Sequence, residues 1–275
     1  MKAAGPLTPQ LREWILATTR AGHGVPEVLR LLKEAGYAPA HSRSAVAQVL
    51  KIPLSSINAT TPSGRRTRPP SAPRMRVDGH EVRVSASMEA PIVRVLEGLL
   101  DPGECTALIE AARPRLDRAL TVAEDGKHQV DARRTSAGMF FQLGETPLVA
   151  RLEQRLAALL ELPVEHGEGL QVLHYQPGQA YEPHYDWFDP AQPGYAAITA
   201  KGGQRIASVV MYLNTPDEGG GTAFPNVGLT VTALACSAVY FAYEGGDTSS
   251  LHAGLPVLRG EKWIATKWLR ERPLR

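Results

Sequence analysis

The chain has 275 residues, with 30 lysine and arginine residues against 28 aspartate and glutamate residues, so its formal net charge is only +2. This length allows one large domain and a small one, and the near balance of charge argues against a nucleic-acid-binding protein or an acidic-surface protein. Two cysteines are too few for a disulfide framework. The N-terminus has no signal-peptide core, and no apolar run reaches the roughly 18 residues of a membrane span. We therefore expect a soluble cytoplasmic protein without a membrane partner.

Residues 1–58 are predicted to form a small helical region. Three segments have helical patterns: PQLREWILATTRAG, GVPEVLRLLKEAG and HSRSAVAQVLKI. The second has Pro26 in its first turn and Gly36 as a stop signal, and Ser42 or Ser44 is a candidate N-cap for the third. Such a region would also fit a helix-turn-helix DNA reader or a peptide-binding bundle, but it has no basic recognition helix. We expect an appendage used for packing or protein contact.

Residues 59–80 are predicted to form a linker. The stretch ATTPSGRRTRPPSAPRMR contains proline, serine, threonine and five arginines without one acidic residue. This composition is typical of a solvated, extended segment.

Residues 81–275 are predicted to form a mainly β domain of the α+β class. A strand at APIVRVLEGLL precedes a helix at about 102–113, with Asp101, Pro102 and Glu104 in a capping-box-like start. A second helix is expected at about 146–161. The short β segments that follow are LQVLHY, AYEPHYDWF, RIASVVMYLN, GTAFP, GLTVTAL, SAVYFAY, SLHAGLPV and EKWIATKWLRE. This order predicts an antiparallel barrel or sandwich of the jelly-roll kind.

A metal site is indicated by His184 and Asp186 in YEPHYDWFDP. Side chains two apart on a strand share one face, so this nitrogen and this carboxylate could take adjacent positions on a metal. His252, in SSLHAGLPV, is the candidate third ligand. Two histidines and one carboxylate form the facial triad of non-haem Fe(II) oxygenases, although a short H-x-D motif also arises by chance.

An anion site is indicated by Lys262, ten residues after His252, in GEKWIATKWL. An inward lysine in a barrel of this size is costly unless an anion meets it. The C5 carboxylate of 2-oxoglutarate is such an anion, whereas a snorkelling lysine at a strand start is the alternative. By alternation, Lys262 and Trp268 share a face, while His174 is expected to be structural on the face opposite Tyr175.

From about residue 90 to 270 the sequence resembles the Fe(II)/2-oxoglutarate-dependent dioxygenases of the prolyl 4-hydroxylase type. The matching stretches are RTSAGMF, EGLQVLHYQPGQAYEPHYDWFD, RIASVVMYLN, GGGTAFPNVG and SLHAGLPVLRGEKWIATKW. The resemblance implies a double-stranded β-helix (jelly-roll) core. It also implies Fe(II), 2-oxoglutarate as co-substrate, O2 and ascorbate as a reductant.

The resemblance assigns roles to single residues. It implies that His184, Asp186 and His252 bind iron, and that Lys262 pairs with the 2-oxoglutarate C5 carboxylate. Tyr175 and Thr222 would donate hydrogen bonds to the same carboxylate. The residues that match a substrate groove or its support are Arg134, Glu168, Tyr181, Arg205 and Trp268. Glu168 is seven residues from Tyr175, so strict alternation puts it on the opposite face; either Gly169 marks a bulge or Glu168 is a surface residue.

The expected activity is hydroxylation of prolyl residues in a peptide or protein, with release of succinate and CO2. Two loops, 121–134 and 188–204, are candidate lids. Three alternatives stay open: a hydroxylase of a free amino acid or peptide-like small molecule, a non-catalytic binding module on the same barrel, and a zinc hydrolase with the same three ligands. The intact set of inward polar residues argues against the binding module, and Lys262 favours 2-oxoglutarate over zinc hydrolysis.

Overall fold

A computed structural model describes residues 7–20, 23, 25–51, 70–118, 120–122, 128–130, 135–243 and 246–274. The chain divides into two compact units, Met1–Gly64 and Arg65–Arg275. Among the helices of the described ranges, none is long and apolar enough to cross a membrane.

In its described residues the first unit has three helices that pack together: α1 Pro9–Arg20, α2 Val25–Glu34 and α3 Pro39–Leu50. Its core is a cluster of aliphatic side chains that comprises Leu11, Ile15, Val28, Leu32, Ala45, Val46 and Val49. Gly36 has φ +84° just after α2, which agrees with its predicted role as a stop signal.

The predicted N-cap of α3 is wrong. The helix begins at Pro39 after Ala38, which has no side-chain cap. Ser42 lies within the helix, where its hydroxyl donates to the Ala38 carbonyl at 3.1 Å. Proline has the helical φ already fixed and lacks an N–H to satisfy, so it can start a helix without a polar cap.

In the part of the second unit that the structure describes, the α-helices are α4 Pro102–Ala112, α5 Pro147–Leu160 and α6 Tyr195–Thr199. Its strands are β1 Arg74–Val77, β2 His80–Glu89, β3 Ile92–Glu97, β4 Asp117–Arg118, β5 Leu120–Val122, β6 His128–Val130, β7 Ala137–Phe141, β8 Leu170–Tyr175, β9 Tyr181–His184, β10 Arg205–Tyr212, β11 Glu218–Gly219, β12 Thr222–Phe224, β13 Leu229–Val231, β14 Ser237–Ala242, β15 His252–Gly254, β16 Val257–Arg259 and β17 Lys262–Arg270.

Two antiparallel sheets form the core, as predicted for a jelly roll. The larger has nine strands in the order β1-β2-β3-β14-β10-β17-β8-β7-β4, and the smaller has the order β13-β12-β15-β9. Apolar side chains from both sheets meet between them, including Phe224 and Val231 from the smaller and Tyr212, Phe241 and Ile264 from the larger. The interior between the sheets is therefore where inward-facing polar residues meet.

The larger sheet begins earlier than the sequence indicated. Strand β1 lies within residues 59–80, the stretch that the sequence assigned to a linker. Its residues alternate between arginines and the apolar Met75 and Val77, and these two pack against the outer core. A strand with one half-buried face can join a sheet despite its basic composition.

Helices α4 and α5 pack on the outer face of the larger sheet, through Leu108, Leu152 and Leu156. The predicted capping box on α4 is confirmed: Glu104 N donates to the Asp101 carboxylate at 2.8 Å, and Asp101 N donates to Glu104 Oε2 at 3.1 Å. Such a cap contributes about 1 kcal/mol. The helices cover one face of the sheet and leave the other to the site.

Strand β17 is buried along its whole length. Its odd-numbered residues, among them Trp263 and Leu269, face the helices. Its even-numbered residues are Lys262, Ile264, Thr266, Trp268 and Arg270, and alternation directs them into the space between the sheets. This strand therefore contributes to the core on one face and to the candidate site on the other.

Candidate active site

Three potential metal ligands meet between the sheets. His184 ends β9 and His252 begins β15, and the two are directly opposite in the antiparallel pairing. Asp186 Oδ1 lies 3.6 Å from His184 Nε2, and Asp186 Oδ2 lies 3.6 Å from His252 Nε2. One ligand atom from each residue lies within 4.8 Å of the other two. Two nitrogens and one oxygen at this spacing form a three-donor face suited to a transition metal.

The predicted strand over AYEPHYDWF is shorter than expected. Strand β9 ends at His184, so Asp186 lies beyond it and reaches the histidine by a bend rather than by strict alternation. Two neighbours hold it there: Ser208 Oγ donates to Asp186 Oδ2 at 2.5 Å, and Arg205 Nη1 donates to the Asp186 backbone carbonyl at 3.3 Å. The Ser208 hydroxyl is also 2.9 Å from the Tyr243 hydroxyl.

Backbone contacts orient both imidazoles. Nδ1 of His184 lies 2.8 Å from the Glu182 carbonyl oxygen, and Nδ1 of His252 lies 3.1 Å from the Ser250 carbonyl oxygen. A carbonyl can only accept, so each Nδ1 carries the proton, and each Nε2 keeps its lone pair toward Asp186. Metal-binding histidines use this second hydrogen bond to fix their tautomer. The donor set therefore fits a divalent iron.

The charge of Asp186 is favoured at neutral pH. Burial alone would raise its pKa, but the positive charges of His252 and His184 in their protonated forms and of Arg205 outweigh burial and lower the pKa to about 2. The carboxylate is 7% exposed. It is therefore an anionic donor ready for a cation.

Lys262 is the second inward feature, and it is only 1% exposed. It lies opposite Tyr175 in the β17–β8 pairing, with Nζ 4.3 Å from the centre of the tyrosine ring. Nζ donates to the Gly220 carbonyl at 2.9 Å. Within the part of the chain that the structure describes, no carboxylate pairs with it, and burial lowers its pKa to about 8. An incoming carboxylate would supply the missing counter-charge.

Thr222 lies on β12 of the smaller sheet and is 6% exposed. Its hydroxyl oxygen accepts from the Tyr212 hydroxyl at 2.7 Å. The Thr222 hydroxyl proton is thereby directed away from Tyr212, so it can be donated to a ligand.

Glu168 and Arg205 form a paired group beside the metal site. Arg205 Nε and Nη2 donate to the two Glu168 carboxylate oxygens, each at 2.7 Å. The guanidinium stacks on Trp268, 4.2 Å from the ring, and lies 4.8 Å from the ring of Phe188. Because Arg205 also contacts the Asp186 backbone, this pair is joined to the candidate metal ligand.

The structure decides the open question about Glu168 in favour of the interior. Strand β8 begins only at Leu170, so Glu168 lies before the alternating ladder, and its N–H donates to the Trp268 carbonyl at 2.9 Å. A Cβ on Gly169 would lie 2.6 Å from the Phe141 carbonyl oxygen. The glycine thus allows the close backbone approach that lets Glu168 turn inward.

Tyr181 lies at the start of β9, and its ring stacks on His184 with centroids 3.6 Å apart. His174 is on the outer face, as predicted, where it stacks on Trp263 at 4.2 Å and contacts Glu261 at 2.7 Å. Arg134 and most of the 121–134 loop lie outside the described residues. The role predicted for Arg134 stays a prediction.

Three residues at the site were missed by the sequence interpretation: Ser208, Tyr243 and Arg270. Arg270 could have been found, because it continues the Lys262–Trp268 alternation by one step. Ser208 and Tyr243 sit in apolar runs, RIASVVMYL and SAVYFAY, and no local signal distinguishes them from core residues.

Comparisons with known proteins agree with this geometry. A family model of the 2OG-Fe(II) oxygenase superfamily matches residues 170–270. Probable prolyl 4-hydroxylase 10 of Arabidopsis thaliana is 40% identical over 204 residues, which cover 66% of this chain and 69% of that protein. The chain belongs to the prolyl 4-hydroxylase family of 2OG-Fe(II) oxygenases.

Other family members are similarly related. Prolyl 4-hydroxylase 5 of Arabidopsis thaliana is 40% identical over 203 residues, covering 65% of this chain and 68% of that protein. Among solved structures, the 2OG complex of a viral collagen prolyl hydroxylase from Paramecium Bursaria Chlorella virus-1 has a TM-score of 0.51 and 29% identity, covering 65% of this chain and 95% of that one. This family member is therefore an oxidoreductase that uses Fe(II), 2-oxoglutarate and O2.

Proposed function

We propose that the protein hydroxylates prolyl residues in a peptide or protein. In this reaction one O2 and one 2-oxoglutarate are consumed, one oxygen atom enters the C–H bond of the prolyl ring, and the other enters the succinate that forms as CO2 leaves. The observation that carries the proposal is the buried Lys262, which has no carboxylate partner in the described chain and shares one interior with a His–Asp–His donor set.

We assign His184, Asp186 and His252 as the iron ligands. When bound, the iron supplies the activation of O2, and the protein supplies orientation and a dry interior. The two Nδ1 contacts fix the imidazoles, and the Ser208 hydroxyl fixes the carboxylate. A donor set held in this way needs little reorganisation when the metal binds.

Lys262, Tyr175 and Thr222 are proposed to bind the C5 carboxylate of 2-oxoglutarate. Lys262 and Tyr175 are register partners on neighbouring strands, and Thr222 lies on the facing sheet. A carboxylate has about four lone-pair sites, so an ammonium and two hydroxyls can bind it together. Burial in a low-dielectric interior strengthens these contacts.

The prolyl substrate is proposed to lie along Tyr181, Arg205 and Trp268, with Glu168 holding Arg205 in place. A proline-rich peptide has an extended, preformed backbone, and aromatic side chains are the usual surface for it. Arg134 is proposed as a further groove residue by its match to the family motif. The relatives named as prolyl 4-hydroxylases support a peptide or protein partner.

The remaining assignments are also proposals. We propose that residues 1–58 contact a partner protein. We also propose that the part of residues 59–80 before β1 links this region to the catalytic domain. The protein is proposed to work in the cytoplasm. The unbonded thiols of Cys105 and Cys236, with Sγ atoms 3.7 Å apart, support a reducing compartment.

An anaerobic titration tests the assignment. Adding Fe(II) and 2-oxoglutarate to the protein should produce the weak visible charge-transfer band of the chelate. His184→Ala should abolish the band, and His174→Ala, which removes an outer-face histidine, should keep it. A wild-type protein without the band, or an undiminished band in His184→Ala, would contradict the proposal.

The substrate is tested with a proline-rich peptide and free L-proline under aerobic conditions. We expect succinate formation coupled to a product 16 mass units heavier, the mass of one oxygen atom, for the peptide only. Product from free L-proline alone would favour the small-molecule hydroxylase, and hydrolysis without succinate would favour the zinc enzyme.

A further inference from the structure

The loop of residues 188–204 joins the candidate ligand Asp186 to the groove residue Arg205. Its two ends are closed on each other: Phe188 N donates to Gln204 Oε1 at 2.8 Å, and Gln204 Nε2 donates to the Phe188 carbonyl at 2.6 Å. Most of the side chains between these ends are exposed or half-buried. The position of the loop therefore depends on contacts that reach it from the body of the domain.

Arg270 provides such contacts from the inner face of β17. Its Nη2 donates to the Ile198 carbonyl at 2.7 Å and to the Lys201 carbonyl at 3.0 Å. Its Nη1 donates to Glu168 Oε1 at 2.9 Å. One guanidinium thus joins the middle of the loop to the carboxylate that also holds Arg205.

The packing around Arg270 is close on every side that the structure describes. The residue is 4% exposed, and its guanidinium carbon is 4.9 Å from the ring of Phe188, which begins the loop. A Cβ on Gly202 would lie 3.1 Å from Arg270 Nε. Phe188 lies against both guanidiniums, those of Arg205 and Arg270.

Arg270 is the second buried cation beside the Glu168 carboxylate. It should add little to the free energy of unfolding, because the cost of desolvating a charge offsets the gain from a buried ion pair. Arg205 already forms two bonds to Glu168. The guanidinium of arginine is rigid and has donors that point in different directions. Arg270 can therefore fix the distance between the Glu168 carboxylate and the loop carbonyls.

We propose that Arg270 is a positioning residue that holds the 188–204 loop against the Glu168–Arg205 pair, so that the loop forms one wall of the peptide groove. The groove itself rests on the proposed function. Loss of the Arg270 contacts would free the loop around Ile198 and Lys201, while Arg272 N still donates to the Gly202 carbonyl at 2.8 Å. The iron and 2-oxoglutarate sites would stay in place.

Arg272 offers a matched control. Its Nη2 donates to the Thr199 carbonyl of the same loop at 3.0 Å, but its side chain is exposed and has no bond to Glu168 in the described structure. The substitution Arg272→Gln therefore removes one contact to the loop and leaves the Glu168–Arg205 pair unchanged.

The test compares Arg270→Gln, Arg270→Lys and Arg272→Gln in the full chain. Trypsin cleavage after Lys201 reports directly on the loop, because Arg270 holds the Lys201 carbonyl. For Arg270→Gln we expect this cleavage to be about tenfold faster and the KM for a proline-rich peptide to rise about tenfold, the effect of losing charge-assisted hydrogen bonds. The KM for 2-oxoglutarate should change less than about twofold, because Arg270 does not touch that site.

The controls separate this inference from general destabilisation and from the proposed function. Arg272→Gln should change either readout less than about twofold, as exposed contacts contribute little. Arg270→Lys has a single ammonium, which can meet Glu168 or the loop but not both, so its values should lie between wild type and Arg270→Gln; it decides the question if Arg270→Gln does not fold.

Wild-type protection at Lys201 in Arg270→Gln overturns the inference, and so does a freed loop with an unchanged peptide KM. If the wild-type protein hydroxylates no peptide, the proposed function and the groove wall fail together. The cleavage rate then still shows whether Arg270 holds the loop.

Discussion

His184 and His252 face each other across neighbouring antiparallel strands, with ring centroids 4.3 Å apart. Cross-strand partners of this kind have a separation fixed by the backbone ladder rather than by side-chain flexibility. The third donor, Asp186, comes from a bend and depends on Ser208 and Arg205 for its position. The two histidines are therefore positioned by the backbone pairing, whereas the carboxylate is positioned by the side chains of Ser208 and Arg205.

Replacing the Asp186 carboxylate by an amide should weaken metal binding strongly, although the two groups have nearly the same shape. Asp186→Asn keeps the shape and one oxygen donor but removes the negative charge. We expect the Fe(II) affinity to fall about 100-fold or more, since replacing an anionic ligand by a neutral one should cost at least as much as the 10–100-fold effect of losing an outer-shell partner. Anaerobic competition with a chromophoric chelator measures this. An affinity within about threefold of wild type would show that Asp186 is not a ligand.

Lys262 should make 2-oxoglutarate binding pH-dependent. Burial lowers the lysine pKa to about 8 in the ligand-free protein, and a bound carboxylate favours the ammonium form. Binding then takes up a proton above pH 8, so affinity is constant below that pH and falls by up to about tenfold per pH unit above it. The charge-transfer band, titrated from pH 6.5 to 9.5, provides the dissociation constants.

The control for this pH profile is Lys262→Arg, whose guanidinium stays protonated throughout the range. In this variant the affinity for 2-oxoglutarate should not change with pH over this range, even if it is lower or higher than in the wild-type protein. A wild-type affinity that does not change between pH 7 and 9.5 would contradict a Lys262 ammonium that loses its proton near pH 8 in the ligand-free protein.

A buried ion pair between Lys267 and Glu153 lies on the face of β17 opposite to Lys262. Both are 2% exposed, and Lys267 Nζ donates to Glu153 Oε1 at 2.5 Å. Lys267→Met leaves a buried carboxylate without its counter-charge, so we expect a loss of about 3–5 kcal/mol in the free energy of unfolding. The double variant Lys267→Met/Glu153→Leu should recover most of it. Denaturant unfolding measures both, and an unaffected single variant would contradict the expectation.

Cys105 should be chemically inert in the folded protein. It is 3% exposed, and burial, together with the neighbouring Cys236, raises the pKa of its thiol to about 12. The thiolate is the reactive form, so alkylation near pH 8 should modify at most the half-buried Cys236. Cys236→Ser should remove all reaction with a thiol reagent before unfolding. Rapid modification of Cys105 in that variant would be the contrary result.

Much of the site was readable from the sequence because the motifs are local. His184, Asp186, His252 and Lys262 each fall on or next to a short β segment with clear turn signals at its ends. Alternation places Lys262 on the same face as Trp268, and the family resemblance favours the inward direction over a snorkelling lysine. Long-range pairing then brings together elements as far apart as β9 and β15, which no local pattern could specify.

Other parts escaped the sequence for identifiable reasons. The β1–β2 hairpin turns at Asp78 and Gly79, with φ of +50° and +78°, and the Asp-Gly pair there is a hairpin signal that the arginine-rich composition concealed. Serine is common at N-caps, so the sequence indicates Ser42 or Ser44 as the cap of α3, but the helix already begins at Pro39. Alternation along β17 places Arg270 on the inner face, but its bonds to the 188–204 loop depend on how that loop folds over the end of the strand.

Strand β17 has one further consequence. Its two faces are separated by a single residue step, with Lys262, Trp268 and Arg270 on one and Trp263, Lys267 and Leu269 on the other. Insertion or deletion of one residue early in the strand would exchange the two sets, placing Lys262 and Arg270 under the helices and turning core side chains toward the candidate site. Substitutions at alternate positions, by contrast, can alter what the enzyme accepts while the packing beneath stays as it is. We therefore expect single substitutions on the inner face of β17 to be tolerated better than a one-residue change in the length of the strand.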